Sequence, residues 1–122
     1  MKCLYFATPA RGEGRVIAQS ESGRRVAHIV LQLQNSPESG RGMLLWEVDD
    51  AVVPAQFRGA VTNGVRLLFE NQFCDWLPQG LVVRVVGGAC HATDSQALDF
   101  RDATVAAFLD AVGEIEGRSA EN

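Results

Sequence analysis

The fold is decided by residues 52–112, which open as VVPAQFRGAVTNGV (52–65) and continue as VVRVVGGACHATDSQALDF (82–100). Apolar residues in the first piece recur at spacings of four, four and three, the period of an amphipathic helix. They are Phe57, Val61, Val65 and Leu68. Pro54 suits the first turn of this helix. Glycine weakens a helix by about 1 kcal/mol relative to alanine. We therefore expect Gly59 and Gly64 to lie where the helix packs closely against the sheet or another helix.

The second piece predicts a strand followed by another helix. The run LVVRVV (81–86) is typical of a buried strand, and GGACHATD (87–94) of a glycine-led loop. Residues 95–112 predict a helix, with a capping box at 93–96 in which Asp94 or Ser95 could equally be the N-cap. Its apolar stripe is predicted to be Leu98, Val105, Leu109 and Val112.

Strand patterns precede these elements. Residues 2–7 and 14–20 predict short strands separated by a loop, and 26–34 alternates with a buried face formed by Ala27, Ile29, Leu31 and Leu33. Residues 43–49 predict a further strand that returns antiparallel. The order ββββαβα predicts an α+β two-layer sandwich, with a mixed sheet of four or slightly more strands and both helices on one face. We expect a single domain over 1–113 and a polar C-terminal tail over 114–122.

Composition excludes several classes of protein. The chain has 122 residues and a net charge of −4, and ten of its 11 basic residues are arginine. Lys2 is the only lysine, so no phosphate-binding loop of the GxxxxGK[ST] type exists, and we expect no nucleotide, no cofactor and no metal. No apolar run approaches the roughly 20 residues of a membrane span. Three widely spaced cysteines indicate reduced thiols, and we expect a cytoplasmic location.

Several of these pieces together resemble domain IV of elongation factor G. The matching pieces are VAHIVLQL (26–33), VVPAQFRGAVTNGV (52–65), LPQGLVVRVVGG (77–88) and HATDSQALDFRDATVAAFLDAV (91–112). The resemblance implies a left-handed βαβ crossover, against the general right-handed rule. It also implies a ribosome-facing tip of two loops. No GTPase accompanies the domain here, so translocation activity is not implied and a free-standing paralogue is expected.

The resemblance also indicates candidate tip residues. His91 falls on the histidine of one tip loop, whereas the other tip loop, at 21–28, is about two residues shorter than in the family and lacks its glutamine. Arg24 and Arg25 in the predicted turn, and Gly87 and Gly88 in the predicted loop, could bind phosphate together with the start of the second helix. The alternatives are a solvated hairpin turn for the arginines and a polar loop position for His91.

We expect no catalysis, because Cys90, His91 and Asp94 are too close in sequence to converge and no further ligand has a recognisable spacing. The expected function is a noncatalytic translation-factor-like module that binds the ribosome or RNA. The alternative is a protein–protein interaction module that reuses the same shape, with Trp76 as a candidate partner contact. An oligomer is a further option, since alternation places an apolar set on the open sheet face: Val26, Val30, Val82 and Val86.

Overall fold

The computed structural model describes residues 2–3, 6, 8–20, 23–36, 43–71, 76–77, 80–90, 96–114 and 120–121. Side chains are described for most of these residues, but not for 2–3, 18–20, 23–25, 76–77, 90, 114 and 120–121. The strands and helices, in chain order, are β1 (Lys2–Cys3), β2 (Ala10–Ser20), β3 (Gly23–Asn35), β4 (Met43–Trp46), α1 (Arg58–Glu70), β5 (Trp76–Leu77), β6 (Leu81–Cys90), α2 (Ala97–Glu114) and β7 (Ala120–Glu121). A short 3-10 turn, Ala55–Phe57, precedes α1.

The main sheet has four strands in the order β2-β3-β6-β4. Strand β3 is antiparallel to both of its neighbours, whereas β4 runs parallel to β6, with Met43 opposite Val82 and Trp46 opposite Val85. Strand β4 therefore runs in the opposite direction to β3, as expected of a returning strand, but it pairs with β6 and not with β3. Helix α1 joins the two parallel strands, so β4-α1-β6 is a βαβ unit. The handedness of its crossover stays a prediction from the resemblance.

A second, three-stranded sheet lies outside the predicted plan. It has the order β5-β1-β7, with β1 parallel to β5 and antiparallel to β7. Trp76 was expected in a connecting loop, but its backbone forms β5 opposite Lys2. Two residues of the predicted tail form β7. The division into a domain over 1–113 and a tail stays a prediction.

The core lies between the main sheet and the two helices, as predicted. The four β3 residues expected on the buried face are fully buried: Ala27, Ile29, Leu31 and Leu33. The helical period of α1 is also confirmed, since Val61 and Leu68 are buried and Phe57 stacks on Phe100 at 4.8 Å between ring centroids. Phe69 meets Phe108 edge to face at 5.9 Å. These ring contacts join α1 to α2 over the sheet.

Helix α2 buries a different face from the predicted stripe. Leu98 and Leu109 are 57% and 36% exposed, and Val105 and Val112 are only partly buried. The face that enters the core consists of Phe100, Ala103, Thr104, Ala107, Phe108 and Ala111. The prediction failed because α2 is apolar on almost every side, so periodicity alone does not select a face. Alanines occupy the contact positions that larger side chains were expected to fill.

These alanines matter because α2 packs directly on the backbone of β2. A Cβ atom placed on Gly12 would lie 2.5 Å from the backbone nitrogen of Ala111, and closer still to the carbonyl oxygen of Ala107. A Cβ atom on Gly14 would lie 2.5 Å from the nitrogen of Ala107 and would overlap the carbonyl oxygen of Ala103. The loop predicted at 9–14 is thus a strand from Ala10 onward. Its glycines serve close packing and are not turn residues.

The same helix covers the outer edge of β2. Asp110 of α2 accepts a hydrogen bond of 2.9 Å from the backbone N–H of Glu13 through its Oδ2 atom. Strand β2 is an edge strand, and unpaired N–H groups on an edge are sites for unwanted strand pairing. Asp110 therefore occupies one such donor.

The two glycines of α1 differ in role. Gly64 is buried, and a Cβ atom there would lie 2.8 Å from the carbonyl oxygen of Arg101 on α2, so the prediction of close packing is confirmed at this position. Gly59 is exposed and a Cβ atom would meet nothing within 4 Å, so the same prediction is wrong there.

Replacing Gly14 by alanine should destabilise the protein, because the added methyl group has to push α2 away from β2. Overpacking of this kind typically costs about 1–3 kcal/mol. Urea unfolding followed by circular dichroism would measure the loss. The matched control is Gly59→Ala, which adds the same group in open space and should leave the free energy of unfolding unchanged or raise it by up to about 1 kcal/mol. Equal effects of the two substitutions would contradict the close contact.

Candidate functional site

One end of the main sheet gathers the predicted tip elements. Strand β2 pairs with β3 as far as Ser20 opposite Gly23, so only two residues connect the strands. Strand β6 runs toward the same end of the sheet but stops short of the hairpin, with Cys90 opposite Ala27. At about 3.3 Å per residue, the backbone of Arg24 lies roughly 10 Å beyond that pair. The predicted convergence of the hairpin and the end of β6 is therefore present in the backbone.

Helix α2 begins near the same end. Moving two residues along β2, from Gly12 to Gly14, shifts the contacted residues of α2 by four positions toward its N-terminus. Gly12 lies against Ala107 and Ala111, and Gly14 lies against Ala103 and Ala107. Two strand residues span about 6.7 Å and four helix residues span about 6.0 Å. The strand and the helix therefore stay in register as they run antiparallel. Extending the register places the first residue of α2, Ala97, beside Ala18 of β2, which pairs with Arg25.

The two arginines lie in a strand and not in the turn. Arg24 and Arg25 belong to β3, opposite Gln19 and Ala18, whereas a turn over residues 22–25 was expected. The expectation failed because the connection between the strands is shorter than a four-residue turn. Their side chains lie outside the described residues, and so do His91 and most of the predicted capping box (93–96). The roles of Arg24, Arg25 and His91 in binding stay predictions.

Gly87 and Gly88 also lie in a strand, since β6 continues to Cys90 where a loop was expected. The pairing of β3 with β6 shifts by one residue between Val30 and Leu31, which marks a β-bulge. Gly88 just beyond it has a φ angle of 154°, and a Cβ atom there would overlap the carbonyl oxygen of His28. Strand pairing thus explains Gly88 without any bound anion.

The start of α2 already holds a carboxylate. Asp99 is 5% exposed, and its Oδ2 atom accepts a hydrogen bond of 3.2 Å from the backbone N–H of Gln96. This contact is the reciprocal half of a capping box, in which an acidic side chain in the first turn reaches back to the N-cap. One of the free N–H donors that could have bound phosphate is therefore occupied. The sequence signature of a capping box has serine or threonine at the N-cap, so Gln96 and Asp99 gave no clear signal for this contact.

The open face of the sheet carries a polar cluster beside its apolar side chains. Arg84 donates two hydrogen bonds to the carboxylate of Glu47, through Nε to Oε2 and through Nη2 to Oε1, and a third of 3.1 Å to Gln34. Val30 and Val82 on this face are 3% and 4% exposed, so they do not form an exposed apolar patch. Exposed apolar residues do lie on the same face, at Ile17, Met43 and Leu45. The oligomer therefore stays a prediction.

A second arginine cluster was not predicted. Arg58, at the start of α1, lies over the ring of Trp46 at 4.8 Å and pairs with Asp50 at 3.0 Å. Its Nη2 atom also donates to the carbonyl oxygen of Val48 at 3.4 Å, whereas its buried Nε–H has no hydrogen-bond partner among the described residues. A cation over an indole ring and beside a carboxylate ties the loop after β4 to α1. Sequence spacing gave no signal for this contact.

Groups that could support metal chemistry are absent from the described part of the chain. No three of its histidine, cysteine, aspartate or glutamate residues lie close enough to hold a metal ion. His28 approaches Glu13 at 3.5 Å between Nε2 and Oε1, without the geometry of a hydrogen bond. Among the described helices, none is long and apolar enough to cross a membrane.

A mixed four-stranded sheet, two helices on one face and a parallel β4-α1-β6 unit define a two-layer α+β domain. The chain belongs to the family of elongation factor G, domain IV, whose family profile matches residues 5–114. The resemblance noted in the sequence is thus confirmed, and so is the α+β fold class.

Individual relatives agree with this assignment. Elongation factor G of Aquifex pyrophilus is 28% identical over 103 residues, which are 84% of this chain and 15% of that protein. Elongation factor G 2 of Desulfotalea psychrophila is 34% identical over 90 residues, 72% of this chain and 13% of that protein. A crystal structure of a Thermus thermophilus protein matches with a TM-score of 0.75 at 21% identity, covering 93% of this chain and 16% of that one. The last match shows the fold alone, and this chain corresponds to a small part of each longer relative.

The ion pair on the open face gives a pH-dependent prediction. The hydrogen bonds from Arg84 hold the pKa of Glu47 below its ordinary value of 4.5. A carboxyl group whose pKa is lower in the folded state stabilises the fold above its unfolded pKa, and this contribution is lost as the pH falls through the folded pKa. Glu47→Gln should therefore be less stable than the natural chain at pH 7, and the difference should disappear in strongly acidic solution.

Thermal unfolding between about pH 2 and pH 7 would measure this difference, because that range spans the titration of the carboxyl group in both states. In a matched Arg84→Leu background, the Glu47→Gln substitution should no longer produce a difference that varies with pH. A stability difference that persists unchanged at low pH would show that Glu47 acts through packing and not through its charge.

Proposed function

We propose that this chain is a noncatalytic translation-factor-like module that binds ribosomal RNA through the end of the sheet where β2 turns into β3. The observation that carries the proposal is the register of this end. The backbone of Arg24 and Arg25, the last residues of β6 and the start of α2 all lie there, in a chain of the elongation factor G domain IV family. In that family, the resemblance implies contacts between the tip and RNA.

The contacts are assigned to Arg24, Arg25 and His91. Arginine binds phosphate through charge-assisted hydrogen bonds. Two adjacent arginines near the end of the hairpin can therefore supply two such contacts to an RNA backbone. Gly87 and Gly88 support the strand pairing behind the site and need not touch the ligand.

Charge limits the size of this interface. The chain is acidic overall, with a net charge of −4, so broad electrostatic wrapping of RNA is unfavourable. Asp99 also fills part of the helix N-terminus, which leaves fewer donors for phosphate. The proposal accordingly predicts a small contact of moderate affinity that weakens steeply with salt.

Co-sedimentation with purified bacterial ribosomes across a salt series tests the proposal. Each phosphate contact contributes about 0.7 to 0.9 to the slope of log affinity against log salt. An Arg24→Ala, Arg25→Ala, His91→Ala variant should bind at least about tenfold more weakly at low salt and lose about two units of that slope.

The matched control is an Arg11→Ala, Arg66→Ala variant. It also removes two arginine charges, but from exposed positions away from the hairpin. Arg11 lies nine residues from Ser20 along β2, which is about 30 Å. This control should bind as the natural chain does. No pelleting of the natural chain at low salt, or an equal loss in both variants, would overturn the proposal. Binding that resists both salt and the tip substitutions would favour a protein partner instead.

A further inference from the structure

A cavity lies at the end of the domain opposite the tip. Its volume is about 310 Å³, and it opens between α1 and the edge of the sheet formed by β4. Leu44 of β4, Val65 and Phe69 of α1, and Leu81 and Val83 of β6 contribute apolar walls. A mostly apolar concavity with a few polar groups is the usual form of a small-molecule site.

Among the described residues, the charged side chain that lines this cavity is positive. Arg66 lines it with a side chain that is 66% exposed, and none of the described lining residues is acidic. The guanidinium group pairs with Glu70 one turn later, at 3.6 Å between Nε and Oε1. An exposed pair of this kind is weak, so a ligand carboxylate can compete with Glu70 for the arginine.

The hydroxyl group at this cavity is not a donor to an anion. Thr62 also lines the cavity, one turn before Arg66 on α1, and it donates its hydrogen to the carbonyl oxygen of Arg58 at 3.1 Å. With its proton engaged, the Thr62 oxygen offers only acceptor capacity to a ligand. It therefore does not compete with Arg66 as a donor to an anion.

We propose that this cavity binds a small amphipathic carboxylate of the medium-chain fatty acid class. The apolar tail lies against Leu44, Phe69 and Val83, and the carboxylate accepts hydrogen bonds from Arg66 at the mouth. A volume of about 310 Å³ lies at the lower end of the roughly 300–1,000 Å³ of small-molecule sites, which suits a ligand as small as decanoate.

Isothermal titration calorimetry with decanoate, kept below its micelle concentration, tests this proposal. We expect saturable binding of one decanoate per chain. Decyltrimethylammonium, which has the same tail length with the opposite charge, should show no saturable binding. Arg66→Ala should weaken decanoate binding by about fivefold or more, because a charge-assisted hydrogen bond is lost.

Two further variants complete the test. Thr62→Trp places a large side chain at the mouth from an exposed helix position, so it should abolish binding while circular dichroism shows an unchanged fold. Arg11→Ala removes an exposed arginine from β2 and should bind decanoate as the natural chain does. The absence of saturable decanoate binding, equal binding of the cationic ligand, or unchanged affinity in Arg66→Ala would each overturn the proposal.

Discussion

The architecture depends on the direct contact between the backbone of α2 and the backbone of β2. Glycine at positions 12 and 14 removes the side chains that would hold a helix about 10 Å from a sheet, and alanine at 103, 107 and 111 removes them from the helix. Such contacts bury little apolar side-chain surface of their own. Their effect is to let the larger residues on the same helix, Phe100 and Phe108, reach the sheet core and the rings of α1.

This contact also connects the core to the candidate site. Because the strand and helix repeats stay in register, the position of the α2 N-terminus relative to the hairpin follows from packing several turns away. The site is thus positioned by a rigid part of the domain, although the residues proposed to touch RNA lie near its end. The apolar cavity at the opposite end uses different elements, mainly α1 and β4. The two proposed sites therefore share no described residue.

Some of this structure was accessible from the sequence. The alternation in β3 and the period of α1 each have a polar face, so the buried side was readable, and both were confirmed. In α2, apolar residues surround the helix, and the small alanines that enter the core carry a weak hydrophobic signal. The glycines in β2 and β6 were interpreted as loop residues. They are needed for close contacts with other parts of the fold, which a local sequence pattern does not show. The parallel pairing of β4 with β6 was likewise beyond reach, since pairing partners depend on the whole sheet.

The tip candidates came from the family resemblance more than from local chemistry. Arg24 and Arg25 have no sequence pattern of their own that distinguishes an RNA contact from a solvated strand. Gly88 is the opposite case. It was predicted to bind a ligand, but the β-bulge beside it already explains why glycine is needed there. Arg58 over Trp46 was missed because the two residues are brought together only by the parallel β4-α1-β6 arrangement.

The uneven lengths of the strands have a mechanical consequence. Strand β3 pairs with β6 only from Ala27 onward, whereas its pairing with β2 continues to Gly23, so the last four pairs form a two-stranded ribbon beyond the third strand. Two-stranded ribbons are marginally stable by themselves. Amide hydrogens in this ribbon should therefore exchange with solvent through small local openings, while those of the central part of β3 exchange only when much of the domain unfolds. A ligand bound to the ribbon would slow the exchange of its amide hydrogens with solvent. Binding at the end of the hairpin would therefore be measured as slower exchange along both strands of the ribbon.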